Sequence, residues 1–136
     1  MKSITQKKLM LFLFQTADFR KLIIDLNTID QLYNEGIDSK GKSLGEYSAY
    51  TKSLKQQKGQ RTDHITLKDT GEFYNSFRIV FTGNALQIVA NPIKDDTNLF
   101  REYGIDIVGL TEDSMSVVTT KALQLIKPYI KQQLLK

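Results

Sequence analysis

The chain has no cysteine and no tryptophan, a single histidine and only two prolines in 136 residues. Without cysteine there can be no disulfide scaffold, thiolate zinc site or cysteine nucleophile, and the composition fits a reducing compartment. His64 stands alone between Asp63 and Ile65, so neither a histidine-based zinc site nor a cysteine–histidine pair can be built. Long apolar runs are lacking as well: Leu9–Phe14 is far too short to cross a bilayer. Lys2, Lys7 and Lys8 precede it as in a leader peptide. Gln15-Thr16-Ala17-Asp18-Phe19 then enters a charged helix with no small-residue cleavage site, so neither secretion nor membrane association is expected. Neither charge sign dominates, with 19 lysines and arginines against 15 acids and a net charge of +4. That balance permits contact with nucleic acid or an acidic protein surface and demands neither.

What is present reads as an ordinary globular protein, 40% hydrophobic and 25% charged. The length suits a single domain over residues 1–136, which can bury about two thirds of its unfolded surface without metal or disulfide. The block Leu9–Phe14 has no clean period, so helix and buried strand are not separable there. Thr16 or Asp18 offers an N-cap, and Phe19, Leu22, Ile23, Leu26, Ile29/Asp30 and Tyr33 form an apolar stripe. Their spacing predicts a helix over about 18–35, closed by Gly36 in the left-handed position.

Residues 36–64 form a long polar loop, punctuated by Gly36, Gly41, Gly45 and Gly59. Connections longer than about 12–15 residues are usually functional or disordered. Tyr47, Tyr50 and Leu54 are its large apolar anchors, and a short helix around 48–57 would place Tyr50 and Leu54 on one face. Asp69 and Glu72 have the spacing of a capping box for a short helix over 70–76 that presents Phe73 and Phe77. Phe77, Ile79 and Phe81 alternate with Arg78, Val80 and Thr82. After the Gly83-Asn84 turn, Leu86, Ile88 and Ala90 continue that alternation, which predicts an antiparallel hairpin over about 76–90 ended by Asn91-Pro92. Asp96 or Thr97 can cap a short helix through Tyr103, stopped by Gly104, and Ile105–Val108 reads as a strand or extended segment. Thr111 caps a final helix of about 112–134, with Glu112 and Asp113 in its first turn. Met115, Val118, Ala122, Leu125 and Tyr129 stripe that helix, and Pro128 should kink or restart it. The fold class is therefore α+β: a small antiparallel sheet packed by N- and C-terminal helices.

Gly36-Ile-Asp-Ser-Lys-Gly41-Lys42-Ser43 spells the phosphate-loop pattern. That chemistry needs a strand entering and a helix leaving, and here a helix enters and Leu44-Gly45-Glu46 leaves. Lys52, Lys55, Lys58 and Arg61, with Lys40 and Lys42 ahead of them, form a basic run. It could neutralise phosphates or be a solvated rim. Asp69 with Glu72 is capping chemistry rather than an acid/base pair, and Asp95-Asp96 is turn chemistry rather than a metal site. No cofactor is implied, and nothing points to an enzyme.

At Asp69-Thr70-Gly71-Glu72-Phe73-Tyr74-Asn75-Ser76-Phe77 the chain resembles the tail-completion and virion-morphogenesis proteins of tailed bacteriophages. They carry a D-T-G-x-[LF]-x-x-S-[IF] segment entering a strand. Their preceding aromatic loop is matched by Gly45–Thr51 and Lys55…Gly59. The later aromatic-glycine element is matched by Phe100-Arg101-Glu102-Tyr103-Gly104, and the helix start by Gly109-Leu110-Thr111-Glu112. The series covers roughly residues 32–115. Two features depart from the pattern: Tyr47 stands where tryptophan is common, and Ile107-Val108-Gly109 replaces an "iPxR" segment. Gln31–Ser39 also looks like the variant of phages of Bacteroidetes hosts, crAss-like phages included.

The resemblance implies a ring-forming structural protein of the virion neck, assembled in the host bacterial cytoplasm and placed at the head–tail junction. Its partners would be further copies of itself and the portal, adaptor, tail-tube or terminator proteins, with non-specific contact to DNA in the channel. Loop 36–64 becomes an extended assembly loop carrying Tyr47, Tyr50, Lys52, Lys55, Lys58 and Arg61. Residues 1–17 become a docking segment anchored by Leu9, Phe12 and Phe14, since an amphipathic helix alone needs no six apolar residues in a row. Asp69, Thr70, Gly71, Glu72, Phe73, Ser76, Tyr103 and Gly104 are the motif positions. The alternative is a small nucleic-acid-binding module using residues 52–61.

Overall fold

The computed structural model describes residues 4–135. Its architecture is α+β, as expected: helices around two small antiparallel sheets of two strands each. Helix α1 (Gln6–Gln15) starts at Thr5, whose side chain accepts from the Lys8 amide. The ambiguous apolar block is thus helical, and most of it is used inside the chain. Leu13 is buried, Phe12 stacks on Tyr129 at 4.1 Å, and Phe14 stacks on Phe81 at 5.9 Å. Leu9 is half-buried. The argument from six consecutive apolar residues therefore fails: Phe12, Leu13 and Phe14 pack on the protein's own C-terminal helix and hairpin.

Helix α2 (Ala17–Asp25) follows at once. Neither expected cap operates, because the Thr16 hydroxyl donates backward to the Phe12 carbonyl at 3.0 Å and Asp18 lies inside the first turn. From Leu26 to Glu35 the helix continues with π geometry and ends at Gly36, with φ 65° and ψ 40°. The i→i+5 bonding widens the turn and rotates the buried face away from the stripe expected of a plain α-helix. Ile29 and Asp30 are exposed, whereas Leu26, Asn27, Thr28, Gln31 and Leu32 are buried.

The expected extended loop is instead a folded connection. Ile37 bridges Ser43, and helix α3 (Ala49–Gln57) is capped by Ser48. The short helix α4 (Glu72–Asn75) does not use the capping box: its N-cap is Gly71 at φ 91°, with no side-chain cap. The Thr70 hydroxyl accepts from the Glu72 amide at 3.3 Å, and Asp69 points elsewhere.

Strands β1 (Arg78–Thr82) and β2 (Ala85–Val89) pair antiparallel, with Ile79 opposite Ile88 and Phe81 opposite Leu86. Gly83, at φ 61°, takes the positive angle that a two-residue hairpin turn needs at its first position. A second, unforeseen hairpin pairs β3 (Ile93–Lys94) with β4 (Thr97–Asn98) around Asp95-Asp96. Helix α5 (Leu99–Tyr103) is capped by Asn98, not by Asp96 or Thr97; its side chain accepts from the Phe100 and Arg101 amides. Residues Ile105–Ile107 form a 3-10 turn rather than a strand.

Helix α6 (Glu112–Leu134) starts as expected, with the Thr111 hydroxyl accepting from the Ser114 amide. It continues through Pro128 without restarting. The bond proline denies there falls to the carbonyl of exposed Gln124, where water can replace it.

Two apolar clusters fill the interior. One gathers Leu32, Ile65, Leu67, Phe73, Phe77, Leu99 and Ile107. The other gathers Leu13, Phe19, Ile23, Leu26, Ile79 and Val118. Ile24 and Ile88 touch both and join them.

Candidate functional site

The polar interior is organised by two side chains one π turn apart. Asn27 donates from Nδ2 to the Ile107 carbonyl at 3.0 Å and accepts the Gly109 amide at 2.8 Å. Gln31 donates from Nε2 to the Gly109 carbonyl at 2.9 Å and accepts the Thr111 amide at 2.9 Å. Each carboxamide thus meets the passing chain as a neighbouring strand would, with one donor and one acceptor. Because Thr111 is also the cap of α6, Gln31 fixes where that helix begins.

The phosphate-loop look-alike folds around its own carboxylate. Asp38, 5% exposed, accepts the amides of Lys40 and Lys42 at 2.9 Å each. The amides a phosphate would need are therefore already taken. Ser39 donates its amide to the Asp106 carbonyl at 2.8 Å, and Lys40 pairs with the Asp106 carboxylate at 3.3 Å. The turn is sewn to the segment that Asn27 and Gln31 hold. His64 is structural: Nε2 donates to the Tyr33 carbonyl at 2.7 Å, and its ring lies over Gly36.

Residues between Tyr47 and Asp69 form an open cleft of about 250 Å3 beside α3, together with Lys94, Leu99, Glu102 and Tyr103. Tyr47 roots it, accepting the Thr66 amide at 3.0 Å and meeting the Thr66 hydroxyl at 3.2 Å. Lys55 lies 4.8 Å from the centre of the Tyr47 ring and donates to the Lys68 carbonyl at 3.1 Å. Gln60 donates to both the carbonyl and Oδ1 of Asp69, at 3.1 and 3.0 Å. Lys58 and Lys94 reach the two carboxylate oxygens of Asp69 at 3.3 and 3.6 Å. The Gln60 bond, with these lysines behind it, pushes the Asp69 carboxyl down to about 2. An acid so firmly ionised is a poor proton acceptor at neutral pH. Burial pushes Tyr103 up to about 12 and Tyr74 well above the usual phenol range. Tyr74 donates to the Thr66 carbonyl.

The basic run is therefore not one charged face. Helix α3 ends before Arg61, which pairs with Asp63 at 2.6 Å and lies over the Tyr33 ring. Lys55, Lys58 and Arg61 all have acceptors within the chain, whereas Lys52 makes no ion pair among the described residues. Tyr50 is 75% and Leu54 40% exposed.

The motif positions hold the scaffold. Phe73 is buried edge-on to Phe77 at 5.0 Å. Ser76 donates to the Phe73 carbonyl at 2.6 Å and accepts the Asn91 amide at 3.0 Å, tying α4 to the exit of the hairpin. Gly104, at φ 91°, ends α5 after half-buried Tyr103. Sequence reading missed Asn27, Gln31, Thr66, Lys68 and Lys94. The available signal was two carboxamides four residues apart, Asn27 and Gln31, each next to a residue of the apolar stripe or core, Leu26 and Leu32.

An apolar groove of about 360 Å3 also runs between β2 and α6, lined by Leu86, Ile88, Met115, Val118, Ala122 and Ile126. Among the described residues no helix is long and apolar enough to cross a membrane, and no three acidic or histidine side chains gather as a metal site. Comparison with protein-family models, curated proteins and solved structures finds no match.

Proposed function

We propose that this chain is a structural subunit of the tailed-phage neck, a tail-completion protein that closes into a homo-oligomeric ring around the DNA channel. In that role it joins portal or adaptor to the tail at the head–tail junction, after assembly in the host bacterial cytoplasm. One observation carries the reading: the ordered series of motif elements from the aromatic loop through Asp69-Thr70-Gly71, Tyr103-Gly104 and Thr111-Glu112. In the fold these elements support one another. The Asp69 region anchors the loop, Ser76 anchors the hairpin, and Thr111 starts the last helix. The loop they brace is held at its base and leaves Tyr50 and Leu54 outside, a form suited to contact between subunits.

We assign the chain no catalytic role and no cofactor. The geometry does not favour the nucleic-acid alternative, since Lys55, Lys58 and Arg61 are engaged by acceptors of their own chain. The test is electron microscopy of the purified protein over a range of concentrations. Rings with an open centre are expected. Particles that stay monomeric at every concentration would refute the reading.

A further inference from the structure

The cleft beside α3 carries more positive charge than its own chain answers. Lys55, Lys58, Lys68 and Lys94 line it against two carboxylates, Asp69 and Glu102. Lys58 and Lys94 share the one carboxylate of Asp69, and Glu102 makes no ion pair among the described residues. Lys55 is placed by neutral groups: the Tyr47 ring, the Gln60 side-chain carbonyl at 3.3 Å and the Lys68 carbonyl at 3.1 Å. Lys68 lies 5.2 and 5.9 Å from the centres of the Tyr33 and Tyr74 rings and has no carboxylate partner among the described residues. An ammonium group has three donors. Each of the four lysines therefore keeps at least one for an incoming acceptor, in a position its neighbours already fix.

The same cleft has an apolar lining: Ile65, Leu67 and Leu99 are buried and Leu54 is 40% exposed. Leu67 stands at φ 59°, in the left-handed region that a bulky side chain avoids. Such strain persists only where the surroundings over-determine it, and it gathers at ligand clamps. Here the preceding residue is held on both sides. The Thr66 amide donates to the Tyr47 hydroxyl, its carbonyl accepts from Tyr74, and its hydroxyl accepts the Lys68 amide at 3.2 Å. The strained turn thereby buries Leu67 and leaves Lys68 exposed.

We infer that this cleft binds an acidic peptide segment of a partner protein, with an aliphatic or aromatic side chain entering against Leu54 and Leu99 while two carboxylates meet the lysines. Two is the number that balances four lysines against Asp69 and Glu102. A space of about 250 Å3 suits one or two side chains rather than a whole ligand of ordinary size. The phosphates of a nucleic-acid backbone would bring charge but nothing to cover the apolar lining. Opposite charges around an apolar centre steer the encounter and fix the register. The inference stands apart from the ring reading.

The test pans a library of random displayed heptapeptides on the purified protein, then measures a fluorescein-labelled peptide of the enriched consensus by anisotropy. The consensus should hold at least two acidic residues beside an apolar one. Lys68→Gln with Lys94→Gln should weaken its binding by about tenfold or more. Lys42→Gln with Lys52→Gln removes the same charge outside the cleft and should leave binding unchanged. Leu54→Ser should also weaken binding while leaving the melting temperature unchanged, since the side chain is not buried, which keeps the test decisive if the double lysine variant folds poorly. No enrichment, or a consensus without acidic residues, would overturn the inference. So would equal losses in the two double variants, or a twelve-residue oligothymidylate that displaces the peptide at equal concentration.

Discussion

Replacing Gln31 tests the carboxamide ladder most directly, because Gln31 is 1% exposed and uses both ends of its amide. Gln31→Leu keeps roughly the same size but leaves the Thr111 N–H and the Gly109 carbonyl without partners. At about 1–3 kcal/mol for each of the two orphaned buried groups, the loss should be about 2–6 kcal/mol. Gln31→Glu adds a pH signature. The Gly109 carbonyl needs a donor, which a carboxylate lacks, and burial disfavours the anion too, so the folded-state pKa must lie above the unfolded value of about 4.3. Below pH about 4 the acid is protonated in both states. Its hydroxyl then donates to Gly109, and its carbonyl accepts from Thr111 as the amide does. As the pH rises the unfolded chain releases its proton first, and stability falls until the folded-state pKa is passed. A two-unit upward shift corresponds to about 2.7 kcal/mol lost at pH 7. For a domain of this size that lowers the melting temperature by about 10 °C relative to wild type. Urea and thermal unfolding at pH 4 and pH 7, with wild type in parallel, provide the measurement. If Gln31→Leu costs under about 0.5 kcal/mol, or Gln31→Glu trails wild type equally at both pH values, the ladder is not supporting the start of α6.

Three further outcomes are expected. Gly36→Ala should cost about 2 kcal/mol or more, because φ is +65° and the new Cβ would stand 2.4 Å from the His64 ring; chemical denaturation reads it directly. Asp38→Ala should free the Lys40 and Lys42 amides, seen as faster hydrogen exchange at those two positions, with α6 protection unchanged. The Asp69 carboxyl is held at about 2, so its stabilisation is complete above pH about 4 and disappears as the pH falls toward 2. Asp69→Asn should therefore flatten that part of the acid limb, and an unchanged acid limb would count against the Gln60 bond and the Lys58 and Lys94 pairs.

Much of the fold was legible where a local rule acts alone. Thr111 caps α6, Gly36 ends a helix, and the alternation across Gly83-Asn84 makes a hairpin, each through neighbours a few residues away. The reading failed where a distant partner decides. Asp69 and Glu72 have capping-box spacing, but Gln60, Lys58 and Lys94 draw the Asp69 carboxylate into the cleft, so the helix starts later on Gly71. The stripe expected over 18–35 holds at Phe19, Ile23 and Leu26 and fails at Ile29 and Asp30, where π geometry turns Asn27 and Gln31 inward, and only the segment 107–111 makes that burial favourable. The apolar block Leu9–Phe14 looked excessive because its partners, Tyr129 and Phe81, lie far along the chain. Of the loop, the α3 helix and its exposed face were readable. The web that ties Lys55, Lys58 and Arg61 to the chain was not, because it depends on where the loop folds back.

The Asn27 and Gln31 pairs also set an order of events during synthesis. Their partners come 78–82 residues later in the chain. At about 5–20 residues per second, translation alone separates the two by roughly 4–16 s. Until residues 107–111 emerge, the amides of the π segment can find only water or wrong partners. An α-helical register that leaves them exposed is then the better arrangement. The widened helix is therefore expected to form late, once residues 107–111 are in place, and the slowest folding phase should report on it.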